Sequence, residues 1–274
     1  MEDRYIQVGN IKARYWDTPG AGTPVVLLHG IGASVEVWNT TFPALGAHRR
    51  VLAVDLPGFG RSDKPEVSFT LEYLADFVRD FLDVLEVERA TIVGHSLGGG
   101  LALRFALNFP ARLERLMLIA PAALGRGGSP VLKLMSLPGV GELLSRPSRS
   151  GTERFLKLAS NDPRAVTDEI IDVTFQLAQL PGAQRAFLRT LRAQANILGQ
   201  RETVFGPILT GLSRVAAPTL VLWGQQDRII PAAHAEVARA IAGARIEIWE
   251  ECGHLPMIER SEQFNRLLLE YVGV

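Results

Sequence analysis

The sequence predicts an α/β fold: a mostly parallel sheet flanked by helices, with a helical block inserted late in the sheet. Three observations carry this expectation. Short runs rich in Val, Ile and Leu alternate with longer amphipathic segments, as in βαβ units whose strands are buried on both faces. The alternation stops between about residues 122 and 214, where helical patterns follow one another with no strand between them. The 274 residues, 47% of them hydrophobic, suffice for one large core or for a core plus a smaller inserted piece.

Eight strands are expected. Residues 5–8 and 11–15 flank Gly9-Asn10, a two-residue hairpin signal. Buried-type strands follow at 25–28, 51–55, 91–93, 116–119, 219–223 and 246–249. Core helices are expected at 71–85, 98–108, 232–242 and 261–271. The first shows apolar residues three and four apart throughout, at Leu71, Leu74, Phe77, Val78, Phe81, Leu82 and Leu85. The inserted block opens on a Gly/Pro-rich stretch (Gly125, Gly127, Gly128, Pro130, Pro138, Gly139). Amphipathic helices then run at 152–159, 167–180 and 183–198, the last two separated by Pro181-Gly182. The chain therefore divides into a first core part (1–121), a helical cap insert (122–214) and a second core part (215–274).

Composition excludes several classes. Lys plus Arg equals Asp plus Glu at 29 each, leaving no bulk charge to hold nucleic acid or an anionic membrane. The balance hides an asymmetry: residues 122–214 hold 12 Lys/Arg against 7 Asp/Glu, so a basic insert sits on an acidic core. Charge complementarity between two packed pieces accounts for this; an anionic substrate is the alternative. The one cysteine, Cys252, excludes an internal disulfide framework and a cysteine-built metal cage. Apolar runs of about five residues fall short of the ~20 that span a bilayer. The polar start, Met-Glu-Asp-Arg-Tyr, gives no signal-peptide pattern, so a cytoplasmic location is expected. No phosphate-binding loop, GxGxxG turn, HExxH helix or cysteine cluster calls for a metal or cofactor.

The strongest chemical signal is Gly94-His95-Ser96-Leu97-Gly98-Gly99-Gly100, which follows a strand and opens a helix. Such a strand-to-helix turn lifts a serine hydroxyl above the sheet edge, and glycines two residues to either side relieve its crowding. The helix N-terminus also aims amides at a developing oxyanion. Of five histidines, His254 is the candidate base, because it lies on a Gly-flanked loop after the last strand. His95 is expected to pack beside the turn, His29 to brace a loop, and His48 and His234 to be solvated. Asp227 follows the strand before that loop, and the intervening chain suffices for one helix and one strand. It is the candidate orienting acid, with a helix N-cap as its alternative role. The second oxyanion donor is expected from the loop after an earlier strand, which makes the amides of Ile31 and Leu97 the pair.

The order Ser96, Asp227, His254, together with His29-Gly30, residues 55–62, Gly224–Asp227 and Gly253-His254, resembles the α/β-hydrolase superfamily over nearly the whole chain. The resemblance is to the capped branch, which includes small carboxylesterases, C–C bond hydrolases, dehalogenases and epoxide hydrolases. It implies an eight-stranded α/β-hydrolase sheet with a helical cap. Ser96 stands where dehalogenases and epoxide hydrolases carry aspartate, and Leu255 stands where C–C hydrolases usually carry an aromatic residue. The implied function is cofactor-independent hydrolysis of a small-molecule carboxylic ester, in which residues 55–62 are scaffold. C–C cleavage of a dienone acid, peracid or acyl-transfer chemistry, and a non-catalytic small-molecule receptor are the alternatives. Apolar rows on the insert helices are expected to line the pocket, with Phe155, Leu158, Phe175 and Phe187 as substrate contacts. Arg185, Arg189 and Arg192 form a candidate carboxylate clamp or a solvated face.

An organophosphonate should label one serine, Ser96, and Ser96→Ala should abolish the labelling. Peptide mapping checks this, and an adduct at Ser34 or Ser62 would place the nucleophile elsewhere.

Overall fold

A computed structural model describes residues 1–274. The chain opens with the hairpin β1 (Arg4–Val8) and β2 (Ile11–Asp17), turning at Gly9 with φ of 56°. Then follow β3 (Val25–Leu28), α1 (Thr41–Gly46), β4 (Val51–Val54), α2 (Leu71–Val84), β5 (Ala90–His95), α3 (Leu97–Asn108) and β6 (Leu113–Ile119). The insert holds α4 (Pro130–Met135), α5 (Val140–Leu144), α6 (Arg149–Ala159), α7 (Asp168–Ala178), α8 (Ala183–Gln194), the small hairpin β7 (Ala195–Asn196) and β8 (Gly199–Gln200), and α9 (Glu202–Leu209). The chain returns to the sheet with β9 (Thr219–Gly224) and β10 (Arg245–Trp249) and closes with α10 (Pro256–Glu259) and α11 (Ser261–Val272).

Eight strands form one sheet in the order β1-β2-β4-β3-β5-β6-β9-β10. Strand β2 runs antiparallel to β1 and β4; every pairing from β4 to β10 is parallel. Strands β3, β4, β5 and β9 are buried at every residue, as their unbroken apolar runs require for strands covered on both faces. Helix α2 presents the expected apolar stripe, and the Thr70 hydroxyl caps it by accepting from the Tyr73 amide at 3.1 Å. Because β3, β5, β9 and β10 point the same way, the loops after them open on one edge of the sheet. Residues 29–34, Ser96, Asp227 and His254 occupy these loops.

The insert departs from the expected pattern in two places. Helix α4 lies within the Gly/Pro-rich stretch, and α5 follows it directly. The helix expected at 183–198 stops at Gln194, where the β7–β8 hairpin begins. Gly199 has φ of 115° and lies so close to the Arg126 carbonyl that a side chain there would collide with it. The Gln200 side chain ties the hairpin down by accepting from the Ala123 amide at 2.6 Å. In the core, the helix expected at 232–242 is a 3-10 turn over Ala232–Ala240.

Candidate active site

Ser96 lies between the last residue of β5 and the first of α3 with φ 54° and ψ −113°, a strained conformation for a residue with a side chain. Its neighbours enforce that conformation. A Cβ on Gly94 would strike the Gly98 carbonyl, one on Gly98 the Leu28 carbonyl, and one on Gly99 the Pro121 Cβ at 2.7 Å. The Ser96 amide donates to the Ile119 carbonyl at 2.9 Å, while its carbonyl accepts from Gly99, Gly100 and Ala122. The residue is only 6% exposed.

His254 and Asp227 meet across 27 residues of chain: Nδ1 of the ring lies 2.7 Å from Asp227 Oδ2. The same oxygen accepts from the Trp223 indole at 3.0 Å, and Oδ1 accepts from the amides of Ile229 and Ile230 at 2.7 and 2.9 Å. Asp227 thus holds the imidazole and closes its own turn; it does not cap the helix that follows, whose N-cap position is Pro231 with no side-chain bond. With Nδ1–H held by the carboxylate, Nε2 carries the free lone pair. His254 and Ser96 border the same cavity.

Leu97, as the first residue of α3, has an amide with no acceptor inside the helix. The Gly30-Ile31 segment packs against the nucleophile turn, where a Cβ on Gly30 would sit 3.1 Å from the Ser96 Cβ. Leu97 thus follows Ser96 directly, and Ile31 follows the glycine that packs against it. His29 braces this segment: Nε2 accepts from the Leu56 amide at 3.0 Å, so Nδ1 holds the proton directed at the Gly30 carbonyl at 2.8 Å. Asp55 adds a second brace, accepting from the amides of Val35 and Arg61 and from the buried Arg14 guanidinium. His95 donates Nε2–H to the His254 carbonyl at 2.9 Å, and the two rings lie 4.7 Å apart. Burial, then the proximity of His254, holds the His95 imidazole well below its usual value. It stays neutral and packs, as expected. His48 is exposed, but His234 is half-buried rather than fully solvated as the sequence suggested. Its ring packs edge-on to Trp223 at 6.4 Å and fills the space left by Gly125 and Gly127.

Above Ser96 lies a cavity of about 750 Å³ roofed by the insert. Phe155 and Phe187 line it, as expected; Phe187 also abuts Gly32. Leu158 and Phe175 do not line it, which corrects the sequence expectation. Phe175 lies on the face of α7 opposite Ile170, Val173, Thr174 and Leu177, and Leu158 of α6 packs half-buried against the main core. Leu132 and Met135, from the stretch read as a Gly/Pro-rich opening, and Leu144 just after it complete the apolar wall. The Leu132–Met135 spacing was the available signal. The arginine row faces away from the cavity: Arg185 and Arg189 pair with Glu66, and Arg192 with Glu142.

A sequence profile of the alpha/beta hydrolase family matches residues 25–267. An uncharacterized protein of Mycobacterium tuberculosis (strain H37Rv) is 34% identical over 255 residues, covering 89% of this chain and 74% of that one. The 2-hydroxy-6-oxo-2,4-heptadienoate hydrolase of Pseudomonas putida (strain F1) is 30% identical over 278 residues, covering 98% and 96%. Among solved structures, the meta-cleavage product hydrolase of Pseudomonas fluorescens IP01 superposes with a TM-score of 0.84 at 28% identity, over 98% of this chain and 97% of that one.

Two outcomes follow from this geometry. Asp227→Asn should lower kcat by about 10⁴-fold through loss of the correct tautomer, and His254→Ala by a comparable factor; a loss under tenfold at Asp227 would place the orienting acid elsewhere. The second concerns pH. Burial lowers the proton affinity of His29 and His95 in the fold below the ordinary 6.5. The unfolded chain then binds more protons, so stability is full above pH 6.5 and is lost as pH falls through it. Each ring contributes up to about 1.4 kcal/mol per pH unit. Thermal melts at pH 7.5, 6.5 and 5.5 should show Tm falling in the last step; a flat series would mean that the rings take up protons without loss of fold.

Proposed function

Because the chain belongs to the alpha/beta hydrolase family, we propose that it hydrolyses carboxylic esters of short to medium chain through an acyl-enzyme on Ser96. His254 Nε2 takes the hydroxyl proton as Ser96 Oγ bonds to the ester carbonyl carbon. The amides of Ile31 and Leu97 hold the oxyanion that forms. When the tetrahedral adduct collapses, the C–O bond to the alcohol breaks and His254 returns its proton to the leaving oxygen. Water then attacks the acyl carbon, gives a proton to His254, and the carboxylic acid leaves as Ser96 recovers its hydrogen.

The charge of the cavity wall carries the choice of ester. Its charged residues are Glu36, which is paired with Arg14 and Arg61, and the exposed Glu169 and Arg146, so the wall offers no buried unpaired cation. Arg146 is exposed, and the arginine row that would clamp a carboxylate is turned outward and paired. An apolar, neutral acyl or alcohol group matches such a wall better than a dienone acid does. The outward row also removes the support that the basic insert gave to an anionic substrate. The second reading, C–C bond hydrolysis of a dienone acid by the same three residues, is favoured by the named activity of the P. putida relative.

A panel of p-nitrophenyl esters from acetate to octanoate separates the two readings. Each buried methylene is worth about 0.8 kcal/mol, so kcat/KM should rise a few-fold per carbon until the cavity fills, and long-chain triglycerides should be poor substrates. If every ester is untouched while a dienone acid is cleaved between carbons, the ester reading is wrong.

A further inference from the structure

The catalytic triad leaves unexplained a carboxylate that reaches both the histidine loop and the insert. Glu259, at the end of α10, turns back toward its own loop. Its Oε1 accepts from the amides of Gly253 and Leu255, which flank His254, at 3.0 and 3.2 Å. Its Oε2 accepts from Asn161 at 2.7 Å and Asp162 at 3.2 Å, just past the end of α6, and also from Gly253 at 3.1 Å. One oxygen serves the loop that carries the base. The other serves the strand of chain that leaves the cavity wall, because Phe155, Leu156 and Ala159 of α6 line the cavity. The His254 amide completes the junction by donating to the Ala159 carbonyl at 2.7 Å. Gly253 permits the approach: a Cβ there would lie 2.6 Å from both the Ala159 carbonyl oxygen and the Asn161 nitrogen.

We propose that Glu259 is a positioning residue that joins the placement of His254 to the seating of the α6 end of the insert. Both carboxylate oxygens accept, and all four of their partners donate. Glutamine keeps the shape but supplies only one acceptor oxygen; its NH₂ faces donors on the other side. Either the histidine loop or the insert then loses its anchor. A purely local brace would need only the bonds to Gly253 and Leu255. The bonds to Asn161 and Asp162 cross about a hundred residues of chain and make the base depend on the insert.

The inference rests on Ser96 being the nucleophile, and the test separates that reading from the coupling. The probe is a small methyl-substituted organophosphonate, which needs an activated Ser96 but little of the cavity wall. Its second-order labelling rate is measured for the native protein, Glu259→Gln and Asn161→Pro. The last variant removes the insert's better amide donor, and Ser160 before it already has the extended ψ of 144° that a following proline favours. Thermal melts confirm that each variant is folded. Labelling should slow by about tenfold or more in Glu259→Gln, and measurably in Asn161→Pro, as expected for a displaced base. Native-rate labelling of Glu259→Gln overturns the positioning role, and a slowed Glu259→Gln with a native-rate Asn161→Pro overturns the coupling to the insert. Absence of labelling in the native protein overturns the nucleophile assignment itself, and the inference with it.

Discussion

The close packing at the junction of β5 and α3 is the constraint on which the rest of the site depends. A backbone conformation such as that of Ser96 costs on the order of 1–3 kcal/mol and persists only where its surroundings over-determine it. Here they do. The Gly94–Gly98 approach leaves no room for a side chain, and the turn is pinned through its amide to β6 and through its carbonyl to α3 and Ala122. The first turn of the helix is thereby placed beside the serine, and Gly30-Ile31 is drawn against it. Relaxing that one junction would move Ser96, the Leu97 amide and the floor of the cavity together.

Around this rigid point the remaining groups are held by multiplicity. Asp227 makes four hydrogen bonds, of which one is to the base. Its carboxylate is therefore fixed before a substrate arrives, the preorganisation on which electrostatic catalysis relies. Asp55 and His29 do the same for the loop that carries Ile31, drawing on the amides of Val35, Leu56 and Arg61. His95 ties the base loop to the nucleophile turn from beneath. The polar atoms under the site are almost all committed to one another, which leaves Ser96 and His254 as the reactive groups that face the cavity.

Much of this was legible in the sequence, for reasons that differ by element. The strands could be read because burial on both faces leaves unbroken runs such as Val25–Leu28. The turn at Ser96 could be read because its steric demand leaves a glycine at each crowded position. The approach of Asp227 to His254 followed from loop placement in a parallel sheet. What escaped depended on side-chain direction or on distant partners. Leu158 and Phe175 are as apolar as Phe155, and only the rotation of each helix about its axis decides which of them meets the cavity. His234 sits in a polar-looking stretch, but Gly125 and Gly127, more than a hundred residues away, open the space it fills. Glu259 stands in the first turn of a short helix behind Pro256, where a local capping role is the natural reading, and nothing nearby announces Asn161. The hairpin after α8 was missed because two-residue strands are too short to show alternation.

The insert leaves the sheet after β6 and returns at β9, and these two strands are hydrogen-bonded neighbours. Most of the roof over Ser96 is consequently one continuous stretch of chain, set between two adjacent strands of the sheet. Exchange of that stretch between related genes would replace the roof in a single recombination event and leave the strained serine turn and its braces intact. The amides after α6 that meet Glu259 mark the join at which such a transplant must still match its host.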